Sequence, residues 1–193
     1  MRLFSGLYAW TVHWAGHPRA PWALGGLSAA ESSFFPIPPD ALLMPMSLAR
    51  PERALRFAAI ATLASVLGGL LGYALGALAL SLVAPWIEAA GYAPAYARGV
   101  EWAREWGFWV MLVAGFSPIP YKVFTIAAGA AGIPLIPFVA ASLIGRGARF
   151  FLVAGVIAWG GARLEPWLRR HVEWLGWLSV AALAAGILWL QLG

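Results

Sequence analysis

The chain reads as long uncharged blocks separated by short clusters of charge. Residues 57–87 carry no charge at all, and about 20 apolar residues suffice to cross the hydrocarbon core of a bilayer as a helix. The block predicts a transmembrane helix over 57–84, with Gly68, Gly72 and Gly76 four apart on one face as a seam for close helix packing. A second such helix is predicted over 138–162, carrying Arg146 and Arg149, and a last, uncharged one over 174–191. Residues 2–16 differ. Leu3, Leu7, Trp10 and Trp14 recur at helical spacing on one face, with Arg2, His13 and His17 off that stripe. This predicts a helix lying in the membrane plane, its tryptophans at headgroup level. Pro18 and Pro21 end it, and residues 22–33 start a short apolar helix. The fold class expected is an all-α integral membrane protein.

Two stretches interrupt the pattern. Residues 31–48 are strongly apolar yet contain four prolines and two carboxylates, Glu31 and Asp40. Interior prolines remove backbone donors and clash with the preceding turn, so one continuous helix is not expected. A carboxylate at a helix centre in the bilayer costs roughly 2.5–3.5 kcal/mol. A broken hairpin that enters the bilayer, lines an internal cavity and returns accommodates both features. Residues 106–134 read as a second such hairpin. Aligning the two Pro-Ile-Pro triplets sets Pro36 on Pro118, Pro38 on Pro120, Phe34 on Phe116 and Asp40 on Lys122, which is the sole lysine. Interrupted segments at corresponding places in two halves point to the binding site of a transporter. Asp40 and Lys122 are therefore expected to approach each other across a pseudo-two-fold axis. The four aligned prolines would shape the hairpin tips and leave backbone groups free to face a substrate.

Composition agrees with a membrane protein: 62% of the 193 residues are hydrophobic and 11% charged, with a mean hydropathy of +0.77. The net charge of +5 does not indicate nucleic acid. The arginines sit at the ends of apolar blocks, where they act as topology signals and anionic-lipid contacts. Arg50, Arg53 and Arg56 form one basic loop; Arg163, Arg169 and Arg170 form another, with Glu165 and His171. Residues 85–105 read as a polar connection containing Pro85, Pro94, three glutamates and two arginines. If hairpins return to their own side and full helices cross, loops 50–56 and 163–173 share one side and 85–105 lies opposite. The positive-inside rule then places both basic loops in the cytoplasm. The hairpins enter from opposite faces, as an inverted repeat meeting near the midplane. There is no cysteine, hence no disulfide framework, thiol nucleophile or cysteine metal site. Met1–Ala20 does not read as a signal peptide, because Ser5, Gly6, His13 and His17 break its apolar part.

Five charged residues lie in apolar surroundings: Glu31, Asp40, Lys122, Arg146 and Arg149. Mutual neutralisation of packed hairpins is the structural explanation, but ionisable groups inside a membrane are functional candidates by default. Arg146 and Arg149 are i, i+3 and share a helix face, so two guanidiniums can clamp a phosphate. Gly145 and Gly147 beside Arg146 allow close approach to the backbone. The excess of one positive charge suits a phosphate monoester, which carries roughly −1.5 to −2 near neutrality. Glu31 and Asp40 are candidates for proton coupling and gating, since burial favours the neutral form of a carboxyl. His13 and His17 have the i, i+4 spacing of a two-ligand zinc helix, but no acidic or cysteine partner lies nearby. No metal or cofactor is expected. Nor is a catalytic constellation: the histidines form no triad order with serine and carboxylate, and neither a Gly-rich phosphate loop nor His-Glu-x-x-His occurs.

Three strings carry a family resemblance: Glu31-Ser-Ser-Phe-Phe-Pro-Ile-Pro-Pro-Asp40, the run from Gly115 to Gly129, and Ser142-Leu-Ile-Gly-Arg146-Gly-Ala-Arg149-Phe-Phe. In these, from about residue 8 to 162, the sequence resembles the DedA family, also called SNARE-associated or VTT-domain proteins, and most of all its YqaA-like branch. The resemblance implies two facing re-entrant hairpins and lipid transport. Some bacterial members return undecaprenyl phosphate across the inner membrane, and eukaryotic relatives scramble phospholipids. It implies functional roles for an acidic pair in the first hairpin, matched by Glu31 and Asp40, and for basic residues in and after the second. Arg146 and Arg149 match the latter loosely. Many members carry arginine in the second hairpin where this chain has Lys122, a point charge without the planar fork.

The expected organisation is an interfacial helix over 1–18 and a membrane domain over 19–162, with repeats at about 22–84 and 106–162. A basic loop and final helix follow over 163–193. The expected function is a bacterial inner-membrane transporter or flippase for an anionic lipid phosphate, a polyprenyl phosphate or a phospholipid, with proton coupling through Glu31 and Asp40 as a candidate drive. Lys122, Arg146 and Arg149 would hold the phosphate, with membrane lipids as partners and self-association left open. The rival readings are a proton-driven small-ion or drug exporter, an intramembrane lipid-modifying enzyme, and a non-transporting scaffold.

Overall fold

The computed structural model describes residues 17–160 apart from Pro36, Tyr92, Pro118 and Ile119. The predicted interfacial helix at 2–16, the basic loop at 163–173 and the helix at 174–191 lie outside the described residues. Every regular element among the described residues is helical. The helices are α1 Ala20–Ser33, α2 Asp40–Ala49, α3 Ala54–Ala89, α4 Ala93–Phe116, α5 Tyr121–Ala130 and α6 Leu135–Gly160, with a 3₁₀ turn at Pro51–Arg53 before α3.

Helix α1 starts with Pro21 in its first turn, where a missing N–H is not needed. It ends at Phe34, before the cluster Pro36, Pro38 and Pro39. The break is shorter than the proline count suggests. The chain is helical again from Asp40, with Pro45 inside α2. The carbonyl that Pro45 leaves without an intrahelical partner is that of Ala41, on an exposed face. The second break, at residues 117–120, separates α4 from α5. Helix α5 closes on Gly132, which has φ of 63°. Its N–H bonds the Gly129 carbonyl at 3.1 Å and the Ile133 N–H bonds that of Ala128 at 3.1 Å, the paired bonds of a Schellman cap. Pro134 then prevents the helix from continuing.

The region 85–105 is not an irregular polar connection. Helix α3 runs 36 residues through Pro85, and α4 starts four residues after α3 ends. Proline at 85 deprives only the Ser81 carbonyl of its partner, and Ser81 is exposed, so solvent can satisfy it. At 1.5 Å per residue α3 is about 54 Å long, well beyond a hydrocarbon core of about 30 Å. Its polar end therefore extends past the apolar span as helix.

Helices α3 and α6 are long and apolar enough to cross a membrane. On the outward face of α3, Leu55, Leu63, Leu67, Leu71, Leu75, Leu78 and Leu82 are half-exposed or more. Its inward face carries small residues: Ala54, Ala58, Ala61, Ser65, Gly68, Gly72 and Gly76 are buried. A Cβ on Gly68 would strike the Ala29 carbonyl of α1, and one on Gly76 would strike the Ile126 carbonyl of α5. The glycine seam thus receives two helices in succession, with Gly72 between Ser32 and Thr125.

The core has two apolar clusters. One joins the start of α1 (Ala20, Leu24), α2 (Leu43, Met46), the start of α3 (Ala54, Phe57) and the later part of α6 (Phe150, Ala154). The other joins α4 (Met111, Ala114), α5 (Tyr121, Ala128) and the start of α6 (Phe138, Ala141). Helix α1 runs parallel to the first half of α3, with Gly25 beside Ile60 and Ala29 beside Gly68. Helix α4 likewise runs parallel to α6, with Gly107 beside Ile133 and Gly115 beside Gly145. Helices α3 and α6 run antiparallel, since Gly69 faces Phe138 and Gly147 faces Thr62.

Candidate functional site

Between the two clusters lies a polar layer. On α6 the buried stripe Phe138, Ala141, Ser142, Gly145, Arg146, Phe150, Ala154 recurs at helical spacing. One of its members is a guanidinium. Arg146 is 2% exposed. Its Nη2 donates to Glu31 Oε2 in a close ion pair, and its Nε donates to Ser65 Oγ at 2.7 Å. Ser65 and Ser32 share a hydrogen bond of 2.6 Å between hydroxyls, and Ser32 donates to Glu31 Oε2 at 3.3 Å. The guanidinium carbon sits 4.9 Å from the Tyr121 ring centroid and 4.7 Å from that of Phe150, within cation–π range. Tyr121 in turn shares a hydrogen bond with Ser142. Arg146 therefore ties α1, α3, α5 and α6 together. A buried charge of this kind persists only when paired and hydrogen-bonded, and here both conditions are met.

The second pair is closer to the surface. Arg149 Nη2 donates to Asp40 Oδ2 at 2.6 Å, and its Nη1 donates to the Ser117 carbonyl at 2.6 Å. Asp40 opens α2, where a carboxylate suits the positive end of the helix dipole. Its Oδ1 is buried without a hydrogen-bond partner. Lys122, in the first turn of α5, donates to the Phe35 carbonyl at 3.2 Å. Thr125 Oγ1 donates to the Ser32 carbonyl at 3.1 Å. Each break is thus held by a cation from elsewhere, and the two breaks lie together.

Four of the five predicted charges form two ion pairs, Glu31–Arg146 and Asp40–Arg149. The expected meeting of Asp40 with Lys122 is replaced by the Arg149 pair, and no carboxylate lies within ion-pair distance of Lys122 among the described residues. Aligned positions share a place in a sequence pattern, which does not oblige them to touch. A side chain from α6 fills the space instead. Pro38 and Pro120 are exposed in their breaks; Pro36 and Pro118 lie outside the described residues. Ser32, Ser65, Tyr121 and Ser142 belong to the polar layer without having been predicted. Ser65 interrupts an apolar, small-residue stripe, which is the signal that could have found it.

A groove of about 560 Å³ runs between α4 and α6. It is walled by Leu112, Val113, Phe116, Ile144 and Ala148, and Ser117 is its polar member. Ser117 is the residue whose carbonyl Arg149 holds. The groove therefore borders the segment whose carbonyl Arg149 holds.

The family model described as VTT domain matches residues 37–158. The chain belongs to the VTT-domain family. This is the DedA family of the resemblance, whose members are generally membrane proteins. The matched stretch includes Asp40, Lys122, Arg146 and Arg149, while Glu31 precedes it. The chain is 45% identical over 184 residues to an uncharacterized protein of Haemophilus influenzae, covering 95% of each. It is 44% identical over 184 residues to an uncharacterized protein of Histophilus somni, covering 95% of this chain and 96% of that one. No solved structure matches it.

Proposed function

We propose that this VTT-domain protein carries an anionic lipid across the bacterial inner membrane. The headgroup phosphate passes through the polar layer while the chain stays in lipid. The α1–α2 and α4–α5 units would be re-entrant hairpins, each the opening part of one of two inverted repeats at about 22–84 and 106–162. The parallel α1/α3 and α4/α6 pairs and the antiparallel α3/α6 pair support that reading. So does the cluster in which the start of α1, α2 and the start of α3 meet, because a segment that returns to its own side must bring its ends together. Loops 50–56 and 163–173 would be cytoplasmic.

One observation carries the transport reading: Arg149 holds both chain breaks through a carboxylate and a carbonyl that a phosphate could replace. A guanidinium binds phosphate in the same two-pronged way as carboxylate. Proton binding at Asp40 would loosen its hold and free Arg149 for the headgroup, and Lys122 would add a second cation. Arg146, more deeply buried and paired with Glu31, would respond in the same manner further in. The apolar groove at Ser117 supports a lipid over a small ion or drug, since it gives an acyl or polyprenyl chain a wall beside the site. Within the family the proposal is the YqaA-like branch. The substrate is a polyprenyl phosphate, such as undecaprenyl phosphate, or a phospholipid. Held in this way the lipid is moved and not altered.

The test is a flip assay in liposomes with labelled polyprenyl phosphate and labelled phospholipid. Movement of either, lost in Arg149→Ala, is expected. Absence of movement of both, with folded protein present, would end the lipid reading.

A further inference from the structure

Arg146 is met by two aromatic rings of different origin. Phe150 lies one turn further along α6 and travels with it. Tyr121 is the first residue of α5, directly after the second break. Its ring centroid is 4.9 Å from the guanidinium carbon. The ring is itself fixed. Ser142 Oγ donates its one proton to the Phe138 carbonyl at 2.6 Å, so in the bond between the two hydroxyls Tyr121 donates and Ser142 accepts. Ser142 and Arg146 are one turn apart on α6. Tyr121 thus grips that turn at both ends, by its hydroxyl at one and its face at the other. An O–H that donates also leaves more electron density on its ring, which strengthens the hold on a cation.

The same turn of α5 rests on the end of α1. Thr125 donates to the Ser32 carbonyl and Lys122 to the Phe35 carbonyl, and Ser32 follows Glu31 in the chain. Ring and carboxylate therefore reach the guanidinium from two helices that are bonded to each other. Ser65 engages its Nε and Glu31 its Nη2, while Nη1 has no acceptor among the described residues. Exchanging the carboxylate for a phosphate passes through a state in which the carboxylate has let go. A buried guanidinium is then uncompensated, which makes this the costly step. A ring holds the charge through its face, takes up no proton and is not exchanged for an oxygen. Its contribution persists while the oxygens change.

We propose that Tyr121 is a positioning residue for Arg146: its ring holds the guanidinium in the inner layer and carries its charge while Glu31 gives way to the headgroup phosphate. The exchange rests on the transport reading above, whereas the hold of the ring on the guanidinium does not. A ring that only fills space works equally well when its face is depleted of electrons; a ring that carries charge does not.

Full-length protein is made with Tyr121→Phe and, at the same position, with phenylalanine bearing two or three ring fluorines, which keep the shape and deplete the face. Flip rates are measured in liposomes with labelled polyprenyl phosphate and labelled phospholipid, and unfolding midpoints in detergent. Tyr121→Phe leaves Ser142 bonded to its own helix and should lower the rate by no more than about threefold. Three fluorines should lower it about tenfold further, with the two-fluorine ring between. The same fluorines on Phe138 are the control: it is equally buried and on the same helix as Arg146, with no cation over its ring among the described residues. There the rate should change by less than about twofold. Midpoints should fall with each fluorine step at 121 in the otherwise unchanged protein, and not in the Glu31→Leu, Arg146→Met double variant. A flip rate indifferent to fluorine at 121, or an equal loss from Phe138, overturns the proposal and leaves the transport reading standing. If the parent moves neither lipid, the transport reading fails instead and the midpoints decide the positioning role alone. Fluorine dependence that requires Arg146 then supports it, and its absence overturns it.

Discussion

Arg149 and Asp40 pair at 2.6 Å across 109 positions of sequence, joining α6 to the residue that ends the first break. The same guanidinium holds the Ser117 carbonyl. Two irregular segments that would otherwise expose backbone in an apolar setting are thereby fixed to each other by one side chain. Such backbone is tolerated at membrane depth only where protein or a cavity surrounds it. The outer pair can also be opened, since both its side chains are partly accessible, at 19% and 16%.

Arg149→Lys tests whether the planar fork matters. An ammonium keeps the charge but is a compact point that does not reproduce the two parallel contacts. A drop in unfolding stability of about 1.5–3 kcal/mol is expected, the range of one hydrogen bond to a charged group. Lipid flipping should fall at least tenfold. Thermal unfolding in detergent and the liposome assay give the two values, and an unchanged flip rate would remove Arg149 from the transport step.

The inner pair is expected to behave differently. Glu31→Leu or Arg146→Met alone leaves its partner buried and uncompensated, a loss of about 3–5 kcal/mol. The double replacement removes both charges and should recover most of that stability, because apolar residues of similar volume often serve as well as a buried pair. Recovered stability without recovered transport would separate the pair's functional role from its packing role. Single variants as stable as the parent would mean that the two groups do not depend on each other.

Much of this arrangement is legible from residue types. Proline clusters mark both breaks, because loss of an N–H is a local property. The seam at Gly68, Gly72 and Gly76 follows from spacing alone, and each glycine does meet a neighbouring helix. Partner choice is not local. The internal alignment pairs Asp40 with Lys122 as equivalents, yet the geometry joins Asp40 to Arg149 and Lys122 to a carbonyl. Arg146 and Arg149 share a face, but which carboxylate each meets depends on where α1 and α2 rest against α6. The serines were overlooked for a related reason: a hydroxyl in an apolar helix usually bonds its own preceding turn. Ser28 and Thr62 do so, whereas Ser32 and Ser65 serve the arginine.

The glycine seam gives a stability test free of charge effects. Gly68→Ala drives a methyl group into the Ala29 backbone, and separating α1 from α3 should cost about 1–3 kcal/mol. Gly26→Ala lies on α1 with nothing within 4 Å of the added carbon. It should be neutral or stabilise by about 0.5–1 kcal/mol through helix propensity. Unfolding midpoints of the two variants in one detergent decide the matter, and a reversed order would mean that α1 does not pack on that seam.

Lys122→Met separates binding from folding. Its single hydrogen bond, to the Phe35 carbonyl at 3.2 Å, lies at a partly accessible site, so stability should change by less than about 0.5 kcal/mol. If Lys122 helps hold the phosphate, loss of a charged hydrogen bond worth about 1.5–3 kcal/mol should weaken lipid binding roughly tenfold or more. A titration with the lipid that the flip assay identifies measures this. Unchanged affinity would confine the phosphate to the two arginines.

Asp40→Asn addresses the coupling. In the pair with Arg149 the carboxylate is acceptor only, and its second oxygen is buried with no partner. Adding a proton removes the charge that holds the guanidinium, so acid on the side from which Asp40 is reached should release Arg149 toward phosphate. Asparagine imitates the proton-bound form at every pH: nearly the same shape, no charge, and an amide that can still face the arginine. Flipping by the variant should therefore persist in the absence of a pH gradient and respond to an imposed gradient several-fold less than the parent. Glu31→Gln, made in the same way, controls for a general effect of neutralising the layer. Liposomes with and without a pH step across the membrane measure both. If Asp40→Asn flips lipid with the same dependence on the gradient as the parent, the proton is carried elsewhere and Asp40 only fastens the two breaks.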